Sequence, residues 1–173
     1  MSSITSATLT TAPPPAAKPL QAFTFKVAAT DATISLSAEG YLAVLPKLMA
    51  TMNALTLQDV EIIDGDEQTQ ALHGFAKQYG TEVLLELKNS VDAGYADNAD
   101  AQVSNLLGNF VGAFNDHDDV GAACLEALDE NLSSALGVAS EYFDFTAYAE
   151  SVEMDGEIFT INAGDSILLF LPQ

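Results

Sequence analysis

The chain has 173 residues, with 25 Asp and Glu against five lysines and no arginine, a formal net charge of −20 at pH 7. Nucleic acids are bound by Lys and Arg displacing phosphate counterions, so this composition argues against direct DNA or RNA binding. It also argues against anionic membrane surfaces and against phosphate-handling sites, which need cationic clamps. The acids are unevenly placed: from Asn89 to Gln173 there are sixteen carboxylates and no Lys or Arg, whereas residues 1–88 hold nine acids and all five lysines. A hydrophobic content of 49% and a mean hydropathy of +0.19 separate the chain from acidic disordered tails. No apolar run approaches the roughly 20 residues of a membrane span. The single cysteine, Cys124, excludes an internal disulfide and fits a reducing, cytoplasmic setting.

Residues 1–20 are rich in Ser, Thr, Ala and Pro and read as a flexible or extended arm with no signal-peptide pattern. Residues 21–65 read as a small β-sheet plus a helix. Phe23–Ala29 alternates as a strand, Thr30-Asp31 turns the chain, and Thr33–Leu36 forms a second strand. Ser37 is the expected N-cap of a helix carrying Tyr41, Leu42, Leu45, Leu48, Met49 and Met52, with Pro46 bending or restarting it. Leu57–Ile63 is expected as a third strand. Residues 66–108 form a helical segment: one helix through Leu72, Phe75, Ala76 and Tyr79, ended by Gly80, and a second capped by Thr81 and stopped at Gly94. A third opens at Asn98 or Asp100. Residues 109–173 form an acidic α/β segment. It holds a strand at 109–114, an acidic loop at 115–119 and a helix over 120–136. A helix over 145–153, N-capped by Asp144, and a closing hairpin around Ala163-Gly164-Asp165 follow. The fold class is α+β, elongated: a small sheet-plus-helix segment, a helical middle and a second mixed α/β segment.

Catalytic and metal patterns are weak. Asp116-x-Asp118 with Gly121 starts like a calcium loop, but the twelfth position is Ala127 where a bidentate Glu is needed. His117 lies in the acidic loop without a companion ligand at metal spacing, and His73 reads as a surface or boundary histidine. Cys124 sits on an Ala-rich helix face among acids, which raise a thiol pKa and suppress the thiolate. No nucleophile elbow, phosphate loop or dinucleotide fingerprint is present, and neither enzymatic activity nor a cofactor is expected. The distinctive feature is the charge pattern. Glu126, Asp129 and Glu130 fall at i, i+3 and i+4, and Glu150 and Glu153 at i, i+3, with Asp155 just beyond. Such neighbours lie about 5–6 Å apart on a helix, and like pairs there cost a few tenths of a kcal/mol each. Ordinary solvated faces relieve that repulsion with lysines. Rigid carboxylates at this spacing resemble DNA phosphates and suit the basic groove of a DNA-binding protein.

Two stretches carry a family resemblance. Residues 109–130, NFVGAFNDHDDVGAACLEALDE, place a short aromatic strand before an acidic turn and an acid-rich helix. Residues 141–161, EYFDFTAYAESVEMDGEIFTI, open a helix with Tyr142, Phe143, Asp144 and Phe145 and continue through Ala147, Tyr148, Ala149 and Glu150. In this order the stretches resemble the ArdA antirestriction family over about 50 residues. The chain departs from that family in having no Trp or Arg. The resemblance implies an elongated, dimeric DNA mimic that fills the DNA groove of a type I restriction–modification enzyme. The expected contacts are Asp116, Asp118, Asp119, Glu126, Asp129, Glu130, Glu150, Glu153 and Asp155. Two alternatives stand beside it: a DNA mimic directed at a CRISPR effector or another DNA-binding protein, and an acidic, halophilic cytoplasmic protein whose charge serves solubility.

Overall fold

Alternation of Phe23, Phe25 and Val27 with Thr24 and Lys26 drives the first strand, β1 (Gln21–Val27), to bury one face. The computed structural model describes residues 19–52, 55–92 and 99–171. Most of the expected arm, the Gly94 stop and Asn98 lie outside them. A tight turn with Asp31 at φ 56° returns the chain into β2 (Thr33–Ala38), and Lys26 closes the turn through an ion pair with Asp31 at 2.6 Å. α1 (Tyr41–Thr51) then packs Tyr41, Leu42, Val44, Leu45 and Leu48 into the core. It runs on through Pro46, which sits on the solvent side, so there is no restart.

The expected strand 57–63 is shorter. Its first half is a 3-10 turn, Leu57–Asp59, because the Asp59 carboxylate accepts both the amide and the hydroxyl of Thr56 at 2.8 Å. Only β3 (Val60–Ile62) pairs with β1, giving an antiparallel sheet of order β2-β1-β3.

α2 (Glu67–Tyr79) is N-capped by Asp66, which accepts from the Thr69 amide. It ends at Gly80, whose φ of 100° permits a sharp turn directly into α3 (Thr81–Asp92), so Thr81 is the first helical residue. α4 (Ala99–Gly108) completes a three-helix layer. β4 (Phe110–Phe114) follows, then α5 (His117–Leu128), α6 (Glu130–Leu136), a 3-10 helix Gly137–Tyr142 and α7 (Phe145–Met154). β5 (Phe159–Ala163) and β6 (Ser166–Phe170) form the expected hairpin across Gly164-Asp165, with Gly164 at φ 64°. The second sheet is antiparallel with order β4-β6-β5. The architecture is α+β.

Central β6 explains how the layers join. Its run Ile167-Leu168-Leu169-Phe170 is wholly buried because both faces of the strand are covered. Leu168 and Phe170 face the core shared by β1, α1, α2 and α3, while Ile167 and Leu169 face Val120 and Cys124 of α5 and Ala149 and Val152 of α7. One apolar cluster therefore runs through residues 21–108 and onto the near face of the C-terminal sheet. The second cluster holds the acidic helices on the far face.

His73 is buried, against the surface position expected of it. Tyr41 Oη lies 2.8 Å from its Nδ1, and the Val60 carbonyl lies 3.0 Å from its Nε2, so both ring nitrogens are satisfied by groups distant in sequence. A neutral ring with Nε2–H donating to Val60 and Nδ1 accepting from Tyr41 fits both contacts. Burial pushes the His73 pKa below its ordinary 6.5. The nearby Lys77 cation adds to that shift, while the bond to Val60 and the charge of Glu61 oppose it. The unfolded chain therefore takes up this proton first as pH falls. The contribution is complete above about pH 6.5 and is lost progressively as pH drops through that value toward the lower folded pKa. Urea titrations at pH 8 and 5.5 should show a larger acid loss in the wild type than in His73→Gln. Equal losses would show that His73 is not the group responsible, whatever the carboxylates contribute.

Candidate functional site

The acidic region is built on α5 and α7, which approach at their N-terminal ends. An Asp at the start of each helix sets this up. Asp116 accepts from the Asp119 amide at 2.9 Å, and Asp144 accepts from the Ala147 amide at 2.9 Å. The Asp116 cap starts α5 at His117, so the expected acidic loop 115–119 is instead a cap and first helical turn, and the calcium-loop-like spacing is folded as helix. Asp118 and Asp119 lie in that first turn, where the positive helix end offsets part of their repulsion.

Backbone contact locks the pair. A Cβ on Gly121 would stand 1.9 Å from the Phe145 carbonyl oxygen, so α5 presents bare backbone to the first residue of α7. Asp118 accepts the Thr146 hydroxyl at 2.8 Å across the same junction. Asp116, Asp118, Asp119 and Asp144 are thus gathered at two adjoining helix ends, all exposed to solvent. Below them, burial and the charge of Glu153 push the Cys124 thiol up to about 11, which keeps it protonated.

Glu126, Asp129 and Glu130 do not share one helix face. The expected continuous helix 120–136 breaks at Asp129, whose backbone leaves helical geometry (φ −140°, ψ 73°). Its amide closes α5 on the Leu125 carbonyl, and its carboxylate opens α6 by accepting from the Leu132 amide at 2.9 Å. The physical reason is the competition of a short acidic side chain for local backbone donors, which favours a cap over a helix interior. Glu126 therefore stays with α5, Glu130 starts α6, and Asp129 is the joint.

On α7, Glu150 is exposed. Glu153 is tied down, accepting from the amide and hydroxyl of Thr160 at 3.2 and 2.5 Å and so fastening α7 to β5. Asp155 is the C-cap of α7, where a negative charge meets the negative end of the helix dipole and is disfavoured. The nine expected residues thus divide by duty: Asp116 and Asp129 cap helices, Asp118 and Glu153 accept side-chain bonds, and Asp119, Glu126, Glu130, Glu150 and Asp155 extend into solvent. Asp144, the N-cap of α7 and not among the nine expected contacts, belongs to the convergent cluster. The signal for it was the same Asx-cap pattern that Asp116 shows.

Among the described residues, no group of three or more His, Cys, Asp and Glu is placed to hold a metal ion, and no helix is long and apolar enough to cross a membrane. No protein-family model matches the chain, nor does any curated protein or solved structure.

Proposed function

We propose that this protein is a non-enzymatic DNA mimic that occupies the DNA-binding groove of a bacterial defence enzyme, most simply a cytoplasmic type I restriction–modification complex, and acts as a homodimer. The observation that carries this reading is the locked junction of α5 and α7. It holds four exposed aspartates in fixed relation, within a stretch from Asn89 to Gln173 that has sixteen carboxylates and no Lys or Arg. Fixed charges suit mimicry because a groove built for phosphates gains most from an array that is already ordered before binding. Glu126, Glu130, Glu150 and Asp155 extend the array, and the Lys and Arg of the target would release their own anions on contact.

The reading is tested by inhibition of a purified type I restriction–modification enzyme over a salt series. An interface with six to ten phosphate-like contacts should lose affinity by roughly 10³–10⁵ between about 50 and 200 mM salt, as DNA itself does. Inhibition that stays flat over that range would falsify the proposal. A variant carrying Asp119→Asn, Glu126→Gln, Glu130→Gln and Glu150→Gln keeps every helix cap. It should fold with equal or higher stability, because like-charge repulsion is relieved, and inhibit at least roughly tenfold more weakly. Unchanged inhibition by that variant would move the interface away from α5 and α7.

A further inference from the structure

Between α5 and α7 the chain leaves both apolar clusters. Over the seven residues of α6 and the six of the 3-10 helix Gly137–Tyr142, no residue is buried. Val138 and Tyr142 are each 90% exposed, and Leu128 and Leu132, at the end of α5 and within α6, are 38% and 37% exposed. The ends of this excursion are fastened. Asp129 caps its start, and at its finish the Phe143 ring packs at 5.0 Å from Phe145 and 5.7 Å from Tyr148. A helix this short has little stability of its own in water, and most helices gain theirs by burying an apolar face. A lone exposed leucine would mean nothing. A helical excursion with no buried residue, offering a tyrosine and a valine almost fully to water, is an element without its cover.

We propose that residues 130–142 are a docking element for a protein surface in which an apolar recess is ringed by Lys and Arg, with Tyr142 and Val138 as the anchors. Charge selects that occupant. Asp129, Glu130, Glu141 and Asp144, all exposed, bracket the excursion in sequence, and there is no Lys or Arg from Asn89 onward to relieve them. A second copy laid on this face would set carboxylates against carboxylates. An anionic lipid surface or a nucleic acid would meet the same repulsion. A basic rim around an apolar recess satisfies both features, and tyrosine is among the residues that most often anchor such contacts, its ring buried and its hydroxyl at the wet edge. The inference goes beyond charge mimicry, which uses carboxylates alone, and does not depend on it.

Two synthetic helical peptides of equal positive charge test this against the full chain: one with a leucine face bordered by lysines, the other with those leucines replaced by serine. The leucine peptide should bind at least roughly tenfold more tightly, the lower range for one buried aromatic anchor, and should slow amide exchange within residues 130–142. The double variant Val138→Ser, Tyr142→Ser should lose that preference while keeping its thermal midpoint, since neither side chain is packed in the fold. Equal binding of the two peptides, a preference retained by the variant, or protection confined to other residues would overturn the proposal. So would a concentration-dependent dimer that dissociates in the variant, because the face would then belong to a second copy.

Discussion

Gly121→Ala should destabilise the protein by about 3 kcal/mol, at the upper end of overpacking costs, whereas Gly74→Ala should stabilise it by about 1 kcal/mol. The substitutions are chemically identical and both fall inside helices. At Gly121 the new methyl would meet the Phe145 carbonyl at 1.9 Å and the Phe145 Cα at 2.9 Å. These are backbone atoms at the start of α7 and cannot rotate aside. The helices must separate, which opens the packing of Val120 and Cys124 against Ala149 and Val152 and breaks the Asp118–Thr146 bond. At Gly74, on the exposed side of α2, nothing lies within 4 Å of the added methyl, and the helix gains the propensity difference between Gly and Ala. Urea denaturation of the two variants reads both signs. A Gly121→Ala protein as stable as the wild type would show that α5 and α7 do not touch at this point. The fixed spacing of Asp116, Asp118, Asp119 and Asp144 would then lose its basis.

Gly121 also illustrates where sequence reading stops. The stripe Ala123, Cys124, Ala127 and Leu128 shows that a helix lies there, and the Tyr142–Ala149 pattern shows α7, but the need for a glycine depends on how closely α7's backbone approaches. Nothing in the local sequence encodes that distance. The break at Asp129 is hidden for another reason. Leu128, Leu132 and Leu136 keep helical spacing straight through it, so periodicity reports one helix, while the break rests on the turned backbone of Asp129 and the single side-chain bond by which it opens α6. Thr56 and Asp59 were more legible than the strand expected around them, since Thr-x-x-Asp is a capping pattern that the β-branched run overshadowed. β5 and β6, by contrast, were readable because the signals agree: two short apolar runs separated by a Gly-Asp turn. His73 could not be placed without knowing that Tyr41 and Val60, 32 and 13 residues away, would supply its partners.

Asp100→Ala should cost about 2–3 kcal/mol, the scale of losing hydrogen bonds to a charged acceptor at a partly buried site, and it tests a helix cap supplied from far along the chain. The N-cap of α1 is Gly40, which has no side chain to offer, and the expected cap, Ser37, lies outside the helix start. The carboxylate comes instead from Asp100 in the first turn of α4, 59 residues beyond Tyr41. It accepts from the amides of Tyr41 and, at 3.1 Å, Leu42. One acid therefore answers the open end of α1 and joins it to α4. Its charge, after burial, also holds the Tyr41 phenol well above its ordinary pKa, which keeps the hydroxyl that faces His73 protonated. Gly40 is needed for this arrangement because a Cβ there would stand 2.5 Å from Asp100 Oδ2. Its backbone is extended, with φ near 180°, so space and not backbone conformation forbids a side chain. Gly40→Ala should then displace the carboxylate and cost nearly as much as Asp100→Ala. The double variant should cost far less than the sum, since each change removes the same cap and Asp100→Ala also makes room for the new methyl. Thermal or urea unfolding of the three variants gives the coupling directly. Strict additivity would mean that Gly40 and Asp100 act separately, and the long-range cap would have to be abandoned.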